Sequence, residues 1–213
     1  MPYADVNGLH LYYQEHGEGP PLVLLHGGLM TIELNFGVAL PALAGHHRVI
    51  AVELQGHGRT ADVDRPPTFP DFAADVVALL DHLGIERADV ASADHRNDRG
   101  GEADPARLPT PDDFEAMRDA YVATAPDPGA FDAVAERTSG LVQSFTGWTD
   151  DQLRDVQVPV LILVGDTDFI HVENAAEAMR LLPQGQLAVL PGSTHMDLTR
   201  STLLAPVIEA FLA

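Results

Sequence analysis

Two apolar runs in the last third of the sequence end in residues of the acid–base kind. Val158–Gly165 leads into Asp166 and Asp168, and Gln186–Leu190 leads through Pro191-Gly192-Ser193-Thr194 into His195. If both runs are strands of one parallel sheet, acid and imidazole arrive at its carboxyl edge, where open α/β sheets bind ligands. A carboxylate beside an imidazole fixes its tautomer and stabilises its charged form, so the imidazole can serve as a general base. A third run, Leu22–Leu25, ends at His26-Gly27-Gly28. A glycine-rich turn there lets backbone N–H groups approach an anion or a developing oxyanion closely. The same turn would equally serve as a tight strand-to-helix connection without a ligand.

These residues need elements to carry them. Tyr3–Val6 and Leu9–Gln14 flank Asn7-Gly8, the signature of a two-residue hairpin. Leu22–Leu25, Arg48–Leu54, Ala88–Ala93, Val158–Gly165 and Gln186–Leu190 read as buried strands. Helices are expected over Glu33–Leu43 (interrupted near Pro41), Phe69–Leu83, Asp112–Ala125, Pro128–Phe145, Glu173–Leu182 and Ser201–Leu212. Phe69–Leu83 is the clearest: Phe72, Val76, Leu79, Leu80 and Leu83 recur at helical spacing, Thr68 and Asp71 resemble a capping box, and Gly84 stops it. Asn97–Pro111 reads as a loop and Gly147–Val156 as a linker. Strands alternating with helices after a hairpin predict an α/β fold: a mostly parallel sheet, helices on both faces and an antiparallel N-terminal hairpin. Residues 1–96 with 157–213 form its core, and 97–156 a loop and small helical lid.

Composition narrows the chemistry. The 213 residues carry a formal net charge of −20, and every one of the twelve basic residues is an arginine. Such a chain repels phosphate backbones and anionic bilayers, so neither nucleic acid nor membrane is an expected partner. Without lysine there is no Schiff base, and without cysteine no disulfide or thiol nucleophile. No run is long enough to span a membrane, and Met1–Gly8 has no signal-peptide pattern, so the expected location is cytoplasmic. Gly56-His57-Gly58 lacks dinucleotide-binding spacing, and the adjacent His46-His47 does not converge on a metal. No cofactor or metal is therefore expected, and the partner is a small molecule.

Four segments, HGGL at 26–29, ELQGHGRT at 53–60, LVGDTDFI at 163–170 and LPGSTHMDL at 190–198, resemble the α/β-hydrolase superfamily in order and spacing. The resemblance implies a shortened α/β-hydrolase fold and an esterase-like activity on a small ester, lactone or amide. It makes Asp168 the acid and His195 the general base of a triad, and gives an oxyanion-binding N–H to Gly28 or Leu29. His57 and Arg59 fall in a turn that is mainly structural, and Asp166 becomes a turn residue.

The family's nucleophile elbow, G-x-S-x-G, occurs nowhere in the chain. Residues up to Val90 resemble the start of the nucleophile strand, and those from Ala91 or Ser92 the end of the next. This pattern predicts the loss of one strand–helix unit, with Ala88–Ala93 becoming a central strand between Leu22–Leu25 and Val160–Val164. Counting the elbow register puts Asp94 where the family serine sits, a position where some relatives use aspartate. Ser92 is the neighbouring alternative. Ser92 and Arg96 stand where the elbow needs glycine, however, so neither nucleophile has its turn. Three functions remain: a hydrolase relative of weak or no activity, a non-catalytic protein that binds a small ligand or a partner, and cofactor-independent acid–base chemistry by His195 and Asp168 without a covalent step.

Overall fold

The computed structural model describes residues 2–92 and 104–213. Strands β1 (Tyr3–Val6) and β2 (Leu9–His16) form the expected hairpin, with Asn7 and Gly8 both at positive φ. β2 continues antiparallel onto β4 (Arg48–Val52), which pairs parallel with β3 (Pro21–Leu25). β5 (Asp89–Ser92) pairs parallel with β3, giving the order β1-β2-β4-β3-β5. A second, two-stranded parallel sheet holds β6 (Val160–Gly165) and β7 (Gly185–Leu190). Contacts divide the chain into two compact units: Met1–Asp94 with Phe114–Ser144, and His95–Asp113 with Phe145–Ala213.

In the first unit, period-two alternation explains the core. Leu9, Leu11 and Tyr13 of β2 join Val23, Ile50 and Val52 on one sheet face. Val76 and Leu79 of α3 (Phe69–His82) cover that face. The central strands are buried on both sides, as parallel strands between helices must be. Thr68 accepts the Asp71 N–H at the start of α3, and Gly84 at φ +65° ends it. The buried Asp75 of α3 takes both Arg65 guanidinium nitrogens and the Asn7 amide, which pins the helix to the hairpin. Before β4 lie two short helices, α1 (Ile32–Phe36) and α2 (Leu40–Leu43), where one interrupted helix was expected. Later in the chain come α4 (Pro111–Thr124) and α5 (Phe131–Ser144). Within the first unit, the Tyr121 ring meets Phe131 edge-on, and Arg118 lies over the Phe131 ring while pairing with Asp132.

The second unit packs α6 (Asp150–Arg154) and α7 (Val172–Leu181) on its strands, through Leu153, Ile162, Val164, Ala175, Ala178 and Leu182. It ends in α8 (His195–Arg200) and α9 (Leu204–Leu212). No helix among the described residues is long and apolar enough to cross a membrane.

Three expectations are corrected. β5 is not flanked by Val160–Val164: it pairs with β3 alone among the described residues, and β6 belongs to the other sheet. Among the described residues the two strands thus belong to separate sheets. The physical reason is a lack of apolar surface, since β5 is four residues long and its only large hydrophobe, Val90, is 56% exposed. The linker 147–156 contains α6, capped reciprocally by Thr149 and Gln152. The expected last helix begins at Leu204, and an unexpected short helix, α8, precedes it with its own capping box of Thr194 and Asp197.

Buried polar groups fasten the loop after β4. Glu53 is 0% exposed, and its carboxylate accepts the Arg59 backbone N–H and guanidinium and caps Ile32 N–H at 3.5 Å. Arg59 also pairs with Glu33 and lies 4.6 Å over the Tyr12 ring. Gly58, at φ +51°, lies against this carboxylate, and a methyl there would overlap it. Gly58→Ala is expected to destabilise the protein by roughly 2–4 kcal/mol, from overpacking and backbone strain together. Urea unfolding midpoints of the two proteins measure the loss.

Candidate active site

β3 delivers His26 to the end of its sheet, beside the end of β4. The Leu54 N–H donates to His26 Nε2 at 3.0 Å, so that nitrogen must be unprotonated and the proton sits on Nδ1. Nδ1–H in turn donates to the Gly27 carbonyl at 2.8 Å. Burial first, and the neighbouring His57 ring second, push the His26 imidazole down to about 3, in keeping with a neutral ring. The Gly27 carbonyl also accepts Met30 N–H at 3.2 Å, and the Gly27 N–H donates to the buried Asn35 side chain at 2.9 Å. Leu29 sits at φ +62°, an uncommon conformation for a side-chain-bearing residue. Among the described residues, neither Gly28 nor Leu29 donates its N–H to a backbone or side-chain acceptor.

This turn lines a cavity of about 160 Å³. Its walls are mostly apolar, including Leu54, Phe69, Phe72, Leu141 and Val142, with Ser92 and Thr138 adding hydroxyls. Thr138, Leu141 and Val142 come from α5, which is seated by Arg137: its guanidinium pairs with Asp62 and donates to the Val63 and Arg65 carbonyls. The Thr138 methyl lies so near Gly28 that a Cβ there would stand 3.1 Å from it. Glycine at 28 is thus a matter of space as well as of freedom.

In the second unit, Asp168 follows β6 in a turn closed by its N–H to the Gly165 carbonyl. The residue is 2% exposed; Oδ1 accepts the Ile170 N–H at 3.0 Å, and Oδ2 lies 3.1 Å from His195 Nδ1. His195 opens α8 with its side chain 26% exposed and its ring 4.6 Å from that of Phe169. With Nδ1–H donated to the carboxylate, Nε2 keeps its lone pair, the arrangement of a general base. Asp166 does turn work, its Oδ1 accepting the Ser193 N–H at 3.3 Å. Gly165 packs directly on the Ser193 carbonyl, so any side chain there would push away the loop that carries His195.

The candidate residues therefore fall into two groups. Asp168 and His195 are hydrogen-bonded to each other, while Gly28 and Ser92 line one cavity and Leu29 continues its turn. Ser92 is the last residue of β5, opposite Leu25. Asp94 lies outside the described residues. Sequence reading missed Asn35, since a lone asparagine in a weak helix gives no signal. It also missed Gly165, whose need is set by a loop 28 residues further on. The cap of α8 was legible, as Thr194 followed three residues later by Asp197.

Comparison with known proteins agrees with the fold. The alpha/beta hydrolase fold profile matches residues 20–91. A non-heme haloperoxidase of Rhodococcus erythropolis is 26% identical, over 92% of this chain and 93% of the relative. Among solved structures, a serine hydrolase involved in carbazole degradation superposes with a TM-score of 0.80 at 22% identity, covering 99% of this chain and 97% of the other. An enol-lactonase from Burkholderia xenovorans LB400 gives 0.73 at 20% identity, over 99% of both chains. The fold is that of the α/β hydrolases, and the profile match and these relatives support a place in that superfamily. The haloperoxidase alignment runs over 258 positions against the 213 residues of this chain, so at least 45 of them, 258 less 213, have no residue here.

Two outcomes follow from the geometry. A His26 held neutral below its unfolded value contributes stability that is complete above about pH 6.5 and is lost as pH falls toward 3. By pH 5 the loss should reach about 2 kcal/mol. The stability advantage of wild type over His26→Asn should therefore narrow between pH 7 and pH 5 in urea titrations. Gly165→Ala, by displacing the Ser193 loop, should cost on the order of 2–3 kcal/mol. It should also abolish the downfield proton resonance of the His195–Asp168 hydrogen bond in NMR spectra.

Proposed function

We propose that this chain is an esterase-like α/β-hydrolase relative that binds a small ester, lactone or amide and turns it over weakly or not at all. The observation that carries the reading is the His195–Asp168 pair, with its acid buried and hydrogen-bonded and its imidazole partly exposed. The N–H groups of Gly28 and Leu29, which have no backbone or side-chain acceptor among the described residues, support it, because such donors stabilise the charge that grows on a carbonyl oxygen under attack. In this reading α5 serves as the lid of the cavity, and the lone pair on Nε2 makes His195 the general base. The family elbow supplies both a nucleophile and the second oxyanion N–H. Since G-x-S-x-G is absent, a water activated by His195 is the remaining attacking group.

A second reading, a non-catalytic binder of a small neutral ligand, has its own support. The apolar cavity has about the volume at which an engineered cavity holds benzene, near 150 Å³. The family profile match ends at residue 91, just short of both candidate nucleophiles, Ser92 and Asp94.

The test is p-nitrophenyl acetate turnover by the wild type and by Ser92→Ala, Asp94→Asn and His195→Ala. A serine protease lacking a triad member keeps about 10³–10⁴-fold over water, and this chain should not exceed that range. Turnover should be insensitive to Ser92→Ala and to Asp94→Asn. A fall in His195→Ala marks general-base catalysis on water, and no fall marks the binder. Robust turnover abolished by Asp94→Asn, or by Ser92→Ala with fluorophosphonate labelling at that serine, would restore a nucleophilic hydrolase.

A further inference from the structure

We propose that Asn35 is a positioning residue: it holds the peptide in front of Gly27 so that the Gly28 N–H is offered to the carbonyl oxygen of a neutral ligand in the cavity. The inference rests on the reading of that cavity as a small-carbonyl site and extends it to a residue outside the cavity wall.

Gly27 stands between two peptide planes. The plane before it carries the Gly27 N–H, which donates to Asn35 Oδ1 at 2.9 Å. The plane after it carries the Gly27 carbonyl, which accepts His26 Nδ1–H at 2.8 Å and Met30 N–H at 3.2 Å. A trans peptide is flat, with its C=O and N–H pointing in opposite directions. Fixing the Gly27 carbonyl on one side therefore sends the Gly28 N–H to the other. Two planes held on either side of one residue fix its φ and ψ, the only soft dihedrals it has.

Glycine makes this restraint necessary. With no Cβ at 27, the φ and ψ that set the angle between its two planes have no side-chain constraint of their own, so the second plane keeps its aim only while the first is held. His26 and Met30 restrain only the second plane. The first plane depends on Asn35, which is 1% exposed and set on α1, itself capped by Thr31 accepting the Leu34 N–H. A buried amide oxygen is suited to the task because it accepts the Gly27 N–H without placing a charge near the cavity. Among the described residues, no side chain lining the cavity is lysine, arginine, aspartate or glutamate, so a neutral carbonyl compound suits it better than a carboxylate. Apolar walls would hold the body of such a ligand, and the Gly28 N–H its oxygen.

The test uses the whole chain, ¹⁵N-labelled, with acetophenone as the neutral probe. In wild type, acetophenone should shift the Gly28 and Leu29 amide signals together with the Leu54, Leu141 and Val142 methyl signals. Asn35→Leu keeps the bulk and removes the acceptor. It should weaken binding about five- to tenfold, the scale of one hydrogen bond, and silence the amide response while the methyl response persists. Asn35→Asp, which keeps an acceptor oxygen, should restore the amide response; a side chain that merely fills space would show no such rescue. Without any probe, Asn35→Leu should shift and double the Gly27–Leu29 amide signals as the peptide samples two orientations. Should Asn35→Leu fail to fold, Asn35→Ser, whose hydroxyl is too short to reach, takes its place in both readings. Unaltered amide signals and unaltered affinity in the variant overturn the proposal. Methyl signals of wild type that ignore acetophenone overturn instead the small-carbonyl reading, and the probe-free spectra still decide the role of Asn35.

Discussion

The hydrogen bond from the Leu54 N–H to His26 Nε2 is the constraint on which the first unit's site depends. It joins the ends of two neighbouring parallel strands, so it comes with the β3–β4 register rather than with any ligand. By occupying Nε2 it leaves the proton on Nδ1, and Nδ1 then governs the Gly27 carbonyl. Backbone pairing, side-chain tautomer and turn geometry are thus links of one chain. The depressed basicity of His26 is a consequence of the same burial, and it keeps the folded ring neutral while costing stability as pH falls.

The two units hold different parts of what acyl-transfer chemistry requires. One offers N–H donors above an apolar cavity, and the other a polarised imidazole. Each is supported by groups that touch no ligand: Glu53 and Arg59 tie down the loop after β4, Arg137 seats α5, and Gly165 admits the Ser193 loop. Most of the buried polar side chains therefore serve to support geometry. The G-x-S-x-G turn that family members use to present a nucleophile has no counterpart in the sequence.

Much of this was legible because it is written in local patterns. The hairpin followed from Asn7-Gly8, α3 from its heptad-like apolar spacing and Thr68 cap, and the Asp168–His195 pair from polar residues at consecutive strand ends. What escaped was non-local. The expectation that β5 lies beside Val160–Val164 treated strand order as inherited, whereas pairing depends on the apolar surface a strand brings, and A-D-V-A-S brings little. Asn35 and Gly165 owe their importance to partners eight and 28 residues away in sequence. The short helices α6 and α8 were within reach of a closer reading, because each opens on a threonine whose partner stands three residues later.

The half-exposed β5 bears on the behaviour of many copies in solution. Among the described residues its sheet ends there, leaving a row of main-chain groups beside Val90 at which another strand could add. Asp89 sits in that strand, and the chain as a whole carries −20. Two such edges approaching each other bring like charges together before their backbones can bond. Like-charge repulsion of this kind has a reach of only about 10 Å at 0.1 M salt. Pairing at this edge is accordingly opposed less as ionic strength rises and as the carboxylates are neutralised.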